Sequence, residues 1–426
     1  MLVRLAYGEG GLEVELPDCD VTVVEPEFVP GLPDERAALV RALREPIAGP
    51  PLATVARPGQ RAVVVFSDLT RPVPNRRILP PILAELAQAG VRREDVVLLN
   101  ATGLHRPNTP AELAAMLGED VVERYRVVNH DARDPGRLVR LGRMARGAEV
   151  WLNREYVEAD LRILTGFVEP HFFAGFSGGA KSILPGVAGE ATVLHNHSAS
   201  MLSDPRATWA ITHGNPVYEE AREAARLAPP SFVVNVTTNK RKEITGVFAG
   251  ELAAAHDAGC AFARRSALRP VPAPFDVVVT TNGGYPLDLN LYQAVKGMSA
   301  AAQVVRPGGA IVMAAECREG IGHGLFADIL RMGRTPAELL EVIGRPGFLM
   351  VDQWEAQMLA NVLVRCPVYL YSDRLSAAEI RLAHLRLSSS VAETLAELAA
   401  ELGPGLRIGV LPQGPFTIPY VAGDGG

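Results

Sequence analysis

Arg61-Ala62-Val63-Val64-Val65-Phe66, followed at once by Ser67-Asp68-Leu69-Thr70-Arg71-Pro72, decides the fold class. An unbroken apolar run this short fits a strand buried on both faces of a parallel sheet. The polar loop and the apolar-periodic helix near Ile78–Ala89 complete one strand–helix unit. The unit repeats outward, with a strand at Asp95–Leu99, a helix at Pro110–Leu117 and a further strand at Leu161–Leu164. Strands alternating with helices mean a parallel sheet. Upstream, Leu2–Ala6 and Leu12–Leu16 read as a hairpin around Gly8-Glu9-Gly10-Gly11; downstream, 232–237 and 243–248 read as another, followed by a helix at about 251–264.

Arg269-Pro270-Val271-Pro272-Ala273-Pro274 is the best linker candidate, and beyond it a second alternation begins. Its strands are expected at Asp276–Thr280, Ala310–Ala315, Phe348–Val351, Val368–Leu370 and Arg407–Leu411, with helices near 291–304, 336–343, Gln353–Val362 and 376–402. The expected fold class is α/β: two α/β domains with parallel-rich sheets, residues 1–269 and 270–426, and an active-site cleft between them. A chain of 426 residues is too long for one ordinary core, and 48% apolar residues are ample for two.

Net charge is −6 and no basic, aromatic-interleaved patch is present, so nucleic acid is not an expected partner. No stretch approaches the roughly 18 apolar residues of a membrane span, and no signal-like run opens the chain; a cytoplasmic protein is expected. Cys19, Cys260, Cys317 and Cys366 are scattered without a Cys-x-x-Cys pair, against a disulfide framework or a structural zinc site.

Chemistry concentrates in Glu169-Pro170-His171-Phe172-Phe173-Ala174-Gly175-Phe176-Ser177-Gly178-Gly179-Ala180-Lys181, continuing to His195-Asn196-His197. Of 42 cationic residues only Lys181, Lys240, Lys242 and Lys296 are lysine. Arginine stays protonated, whereas lysine can act as a nucleophile, so Lys181 beside two glycines is a candidate for chemistry that needs a primary amine. Lys240 and Lys242 sit in a polar turn. Amides around Gly178 and Gly179 offer a place for a single phosphate, although the spacing of a nucleoside-triphosphate loop is absent. In open α/β sheets ligands bind beyond the carboxyl ends of the strands. That places Asp68, Arg71, His105 and His171 at one edge, as an acid–base site for an anionic substrate. Each also has an ordinary structural role open to it, as a cap, a surface ion pair or a loop histidine. His195 and His197, two apart, would face opposite sides of a helix, so at most one is a ligand. Gln293 and Lys296 share a helix face and together suit a carboxylate, while Trp354 equally suits a core. His130, His256 and His384 read as structural or surface residues, and His213 and His323 are unassigned.

Taken together these motifs resemble the nickel-pincer lactate racemase family. The resemblance spans nearly the whole chain: Asp68-Leu69-Thr70-Arg71, Thr102-Gly103-Leu104-His105-Arg106-Pro107, Glu169–Gly175 with Gly178-Gly179-Ala180-Lys181, Asn196-His197, Tyr292-Gln293-Ala294-Val295-Lys296 and Gln353-Trp354. It implies a 2-hydroxy acid racemase or epimerase with nickel held by a pyridinium-3-thioamide-5-thiocarboxylic acid mononucleotide, attached covalently at Lys181. His197, rather than His195, would complete the planar nickel site, which imidazole suits. His105 and His171 would exchange roles as base and acid during proton-coupled hydride transfer. Arg71, Gln293 and Lys296 would hold the substrate carboxylate, with Tyr292 and Trp354 bordering it and Asp68, Gly178 and Gly179 on the cofactor side. Cofactor maturation proteins are the implied partners. The motifs do not choose among lactate, malate, aromatic 2-hydroxy acids and sugar acids. The competing readings are a divalent-metal hydrolase or lyase built on His105, His171 and His197, and a non-catalytic binder of sugar acids or nucleotides.

Overall fold

Val63 and Val65 leave their strand on one side and Val64 and Phe66 on the other, and all four are buried. Both faces of that sheet are covered. Val64 and Phe66 pack with Ile78, Leu79, Ile82, Leu83 and Leu86 of the helix Asn75–Gln88; Val63 and Val65 pack with Tyr218, Ala221 and Ala224 of the helix Pro216–Leu227. Each such buried aliphatic side chain contributes about 1.5–3 kcal/mol, which is why the apolar run needs no polar alternation. The computed structural model describes residues 1–322 and 324–423, so His323 lies outside the described residues.

The chain forms two compact units, one of residues 28–196 and 204–265, the other of residues 1–27, 197–203 and 266–426. The first is built on a six-stranded sheet in the order Ile244–Gly250, Phe232–Thr238, Leu161–Phe167, Ala62–Ser67, Val96–Ala101, Arg126–Asn129. All neighbours are parallel except the first pair, the expected hairpin. From Ala62–Ser67 the chain adds strands on one side and then returns to the other with Leu161–Phe167. Strand order reverses there, and at such a point the loops beyond the carboxyl ends diverge to leave a crevice. The second unit has a six-stranded, wholly parallel sheet: Arg386–Leu387, Val368–Tyr371, Val305–Ala314, Phe275–Thr281, Arg407–Leu411, Asp20–Val23. Two α/β units with parallel-rich sheets are therefore present.

Three local expectations are corrected. Residues 348–351 form no strand. Leu349 is 50% exposed, and the segment is a turn leading into the helix Gln353–Leu363, with the Met350 amide donating to Gln353 Oε1 at 2.8 Å. Short apolar runs carry no period that separates the two outcomes. The proline-rich segment is not a bare linker either, because Leu268–Val271 pairs in parallel with Ile418–Val421. Pro270 is tolerated there since a two-stranded ribbon consists only of edges. The division of the chain also differs from a single cut at residue 269. The hairpin Leu2–Leu5/Leu12–Glu15 buries Val3, Leu5 and Val14 among Val277, Val279 and Ile408, and Asp20–Val23 pairs beside Arg407–Leu411. The first 27 residues thus belong with the second unit. All four cysteines are free. Among the described residues no helix is long and apolar enough to cross a membrane.

Candidate functional site

The residues singled out from the sequence fall into two sets, one in each unit. In the first unit the loops after three adjacent strands carry them: Asp68 and Arg71 follow Ala62–Ser67, His105 follows Val96–Ala101, and His171 follows Leu161–Phe167.

Asp68 is 3% exposed and its Oδ2 lies 2.7 Å from His105 Nδ1, while Oδ1 accepts the Thr70 hydroxyl at 2.8 Å. Burial alone would raise the carboxyl, but the bond and charge of His105, then Arg71 and Thr70, outweigh it and hold Asp68 below the usual carboxylate range. Asp68 is therefore the ionised acceptor and His105 Nδ1 carries the proton, which leaves the Nε2 lone pair as the basic atom of the ring. A charge-assisted bond of this kind contributes about 1.5–3 kcal/mol. The two loops are held together by amides that the motif reading passed over. Buried Asn100 donates to Asn108 and Asn129, both at 2.8 Å, and Asn108 Oδ1 accepts the Leu69 amide at 3.3 Å. Asn100 closes the apolar strand; a buried asparagine in that place was the available signal.

His171 has the opposite polarity. Its Nδ1 faces the amides of Ala174 at 3.3 Å and Phe173 at 3.5 Å, so in the neutral ring the proton sits on Nε2. The ring stands edge-on to Phe173 at 4.6 Å. The short ribbon Pro170–His171/Gly175–Phe176 sets this geometry. It closes through Gly175, at φ 78°, where a Cβ would lie 2.1 Å from the Ile211 carbonyl oxygen. Lys181 follows on the single turn Gly179–Ser182, its ammonium 5.5 Å from the centre of the Phe173 ring. Gly103, two residues before His105, donates its amide to Gly186, five residues past Lys181, at 3.0 Å.

One amide of the glycine turn expected to offer a phosphate cradle is engaged within the protein. The Gly179 amide donates to Asn235 Oδ1 at 3.2 Å and so points into protein. Gly178 and Gly179 answer to packing instead. A Cβ on the first would come 2.7 Å from Asn235 Oδ1, and on the second 2.6 Å from the His256 ring.

In the second unit His197 lies one residue beyond the helix Glu190–Asn196, so helical spacing does not set it against His195. Their surroundings separate them. His195 pairs with buried Glu220 at 3.2 Å, which raises its pKa, whereas His197 is 5% exposed with its ring edge-on to Trp354 at 5.2 Å. Trp354 Nε1 donates to Tyr292 Oη at 2.9 Å, and Gln353 Nε2 donates to the His197 carbonyl at 3.4 Å. Lys296 Nζ donates to Gln293 Oε1 at 2.6 Å, so the pair meets on one helix face as its spacing requires. Among the described residues no three His, Cys, Asp or Glu side chains are grouped to hold an ion. A hydrolytic metal centre needs about three protein ligands. A pincer group brings its own donors and asks the protein for one imidazole and one primary amine, which His197 and Lys181 supply, so these residues fit the group.

His130 and His256 are structural. His130 Nε2 lies 2.9 Å from the Ala188 carbonyl, His256 Nε2 2.9 Å from the Ser177 carbonyl, and burial pushes each down to about 4. Their unfolded value is about 6.5, so as pH falls from 6.5 toward 4 the unfolded chain binds protons that the folded chain excludes. Stability is full above pH 7 and declines through that window, by on the order of 2 kcal/mol per histidine at pH 4.5. Urea unfolding at pH 7 and pH 4.5 measures it. His130→Gln should show a smaller acid loss than the native chain, and an equal loss would mean that His130 contributes nothing to it.

Residues 7–210 match the family described as Lactate racemase N-terminal domain and residues 271–418 that described as Lactate racemase C-terminal domain. The chain is 38% identical over 383 residues to the lactate racemase of Lactiplantibacillus plantarum, covering 89% of this chain and 90% of that protein. It is 36% identical over 431 residues to the lactate racemase of Thermoanaerobacterium thermosaccharolyticum, covering 98% of each. The solved structure of the lactate racemase apoprotein from the latter organism superposes with a TM-score of 0.92 at 35% identity, over 98% of this chain and all of that one. A Thermotoga maritima protein of solved structure shares the fold at a TM-score of 0.69 and 18% identity, over 93% of this chain and all of that one.

Proposed function

The chain belongs to the lactate racemase family, and from that premise we propose that it interconverts the enantiomers of lactate or a close 2-hydroxy acid with a nickel pincer nucleotide attached at Lys181. It is an isomerase. The observation that carries the reading is the opposite polarity of the two loop histidines. With Nδ1 facing the Asp68 carboxylate, His105 turns an Nε2 lone pair outward, and with Nδ1 facing backbone amides, His171 turns Nε2–H outward; a reaction that must work on either enantiomer needs one base and one acid that exchange roles.

The nucleotide and its nickel supply, when bound, an acceptor for the α-hydride. The side chains do the rest. His105 Nε2 takes the substrate's hydroxyl proton, and the ionised Asp68 carboxylate stabilises the imidazolium that results. His171 would serve as the acid in its imidazolium form, giving the Nε2 proton to the oxygen as the opposite enantiomer forms and being left as the neutral ring, while His105 keeps the proton it took; with that enantiomer as substrate the two exchange. Lys296 and Gln293 present an ammonium and an amide N–H to the substrate carboxylate, and Arg71 adds a second cation. Tyr292 and Trp354, joined by their hydrogen bond, form a fixed aromatic border. His197 would be the protein's ligand to nickel.

Attachment implies maturation proteins that make the nucleotide. Protein made together with them and nickel should racemise L-lactate, with activity rising with bound nickel. Protein made without them should fold and be inactive. Full activity in nucleotide-free protein would sink the proposal.

A further inference from the structure

The turn that carries Lys181 is gripped from the protein side by two side chains that the proposed acid–base chemistry does not use. His256 Nε2 lies 2.9 Å from the Ser177 carbonyl and its Nδ1 lies 2.6 Å from Tyr218 Oη. Tyr218 Oη also lies against the turn, 2.8 Å from where a Cβ on Gly179 would stand. The directions of these bonds are fixed by elementary chemistry. A carbonyl only accepts, so Nε2 carries the imidazole proton; Nδ1 is then the acceptor and Tyr218 donates its proton to it.

The Tyr–His pair thus ties the turn down at the carbonyl of Ser177, just before its glycines, and lies flush against it at Gly179, two residues before Lys181. The pair has little freedom. Both side chains are buried, their rings stack at 5.0 Å and 18°, and each comes from a helix, Pro216–Leu227 and Leu252–Ala267. The turn lies flush against them, since a Cβ on Gly179 would stand 2.6 Å from the imidazole and 2.8 Å from Tyr218 Oη. Gly178 and Gly179 take φ of 76° and 55° to reach this position.

We propose that Tyr218 and His256 are positioning residues for Lys181: they hold the backbone of the tether lysine in one conformation, so that its amine is presented to the nucleotide without the entropy of a mobile loop. The inference rests on the proposed attachment at Lys181. Effective concentration is what such a fixed backbone supplies, and loosening it by one hydrogen bond is felt as a slower approach of the amine.

The test uses the full chain, produced with the maturation proteins, and reads the fraction carrying nucleotide at Lys181 by intact-protein and peptide mass spectrometry. Amide hydrogen exchange is followed in parallel on nucleotide-free protein. Tyr218→Phe keeps the ring and its stacking and removes only the hydroxyl. Exchange across residues 177–182 should quicken by about tenfold, the worth of one lost hydrogen bond, with the strand Phe232–Thr238 unchanged. Loading should fall about fivefold or more. His256→Gln, which restores a donor to the Ser177 carbonyl, should load better than His256→Leu. If Tyr218→Phe fails to fold, that histidine pair decides on the same two readouts. Loading of Tyr218→Phe equal to native, or exchange that quickens equally in Phe232–Thr238, would overturn the positioning role while leaving the tether intact. A native chain that carries nothing at Lys181 would overturn the tether itself, and this inference with it.

Discussion

Asp68→Asn should lower the racemisation rate by about 10²–10⁴-fold while leaving the fold and substrate affinity nearly unchanged. Asp68 is the ionised acceptor that puts the proton of His105 on Nδ1. An asparagine amide placed there donates to Nδ1 instead, which moves the proton to Nε2 and turns the base into a donor. It also removes the charge that stabilises the imidazolium. Both enantiomers should suffer, because each turnover uses His105 once as base or once as acid. Steady-state kinetics in the two directions measure it, and activity within about threefold of native would take Asp68 out of the reaction.

Lys181→Arg should abolish racemisation altogether. Arginine preserves the cation that sits near the Phe173 ring, so the folded state has little reason to change, and the thermal midpoint should stay within a few degrees of native. What disappears is the primary amine. Nickel and nucleotide should both be missing from the purified variant, by metal analysis and by mass. A variant that keeps nickel, nucleotide and turnover would show that the attachment lies elsewhere.

The sheets were legible because their signal is local. Runs such as Val63–Phe66 and Val277–Val279 can be buried on both faces only inside a parallel sheet, and the loops that follow such strands carried Asp68, His105 and His171 to one edge. Contacts between residues far apart in the chain were not legible. Nothing in Asp20–Val23 announces that it pairs with Arg407–Leu411, so the first 27 residues were read with the wrong neighbour. The irregular segment at 348–351 was missed because four apolar residues carry no period; the Met350 amide there bonds the side chain of Gln353 rather than a neighbouring strand.

The site divides in the same way. Lys181 stood out by composition and the Gln293–Lys296 pair by helical spacing, both properties of the sequence itself. The glycine turn was legible as a special place, but that Asn235 bonds the Gly179 amide is visible only in the packed structure. His256 had no context at all within its own helix. Its meaning comes from Ser177 and Tyr218, 79 and 38 residues away.

Racemisation of α-deuterated lactate in ordinary water tests the central claim most directly. If the α-hydrogen leaves as a hydride and returns within one turnover, lactate of the opposite configuration keeps its deuterium, and each single enantiomer gives the same result. Chiral separation followed by mass spectrometry reads the isotope in each enantiomer. Product that retains the label is the result predicted by hydride transfer; product that has exchanged it fully for solvent hydrogen would mean proton abstraction at carbon, and would contradict the proposed roles of His105, His171 and the Lys181 attachment.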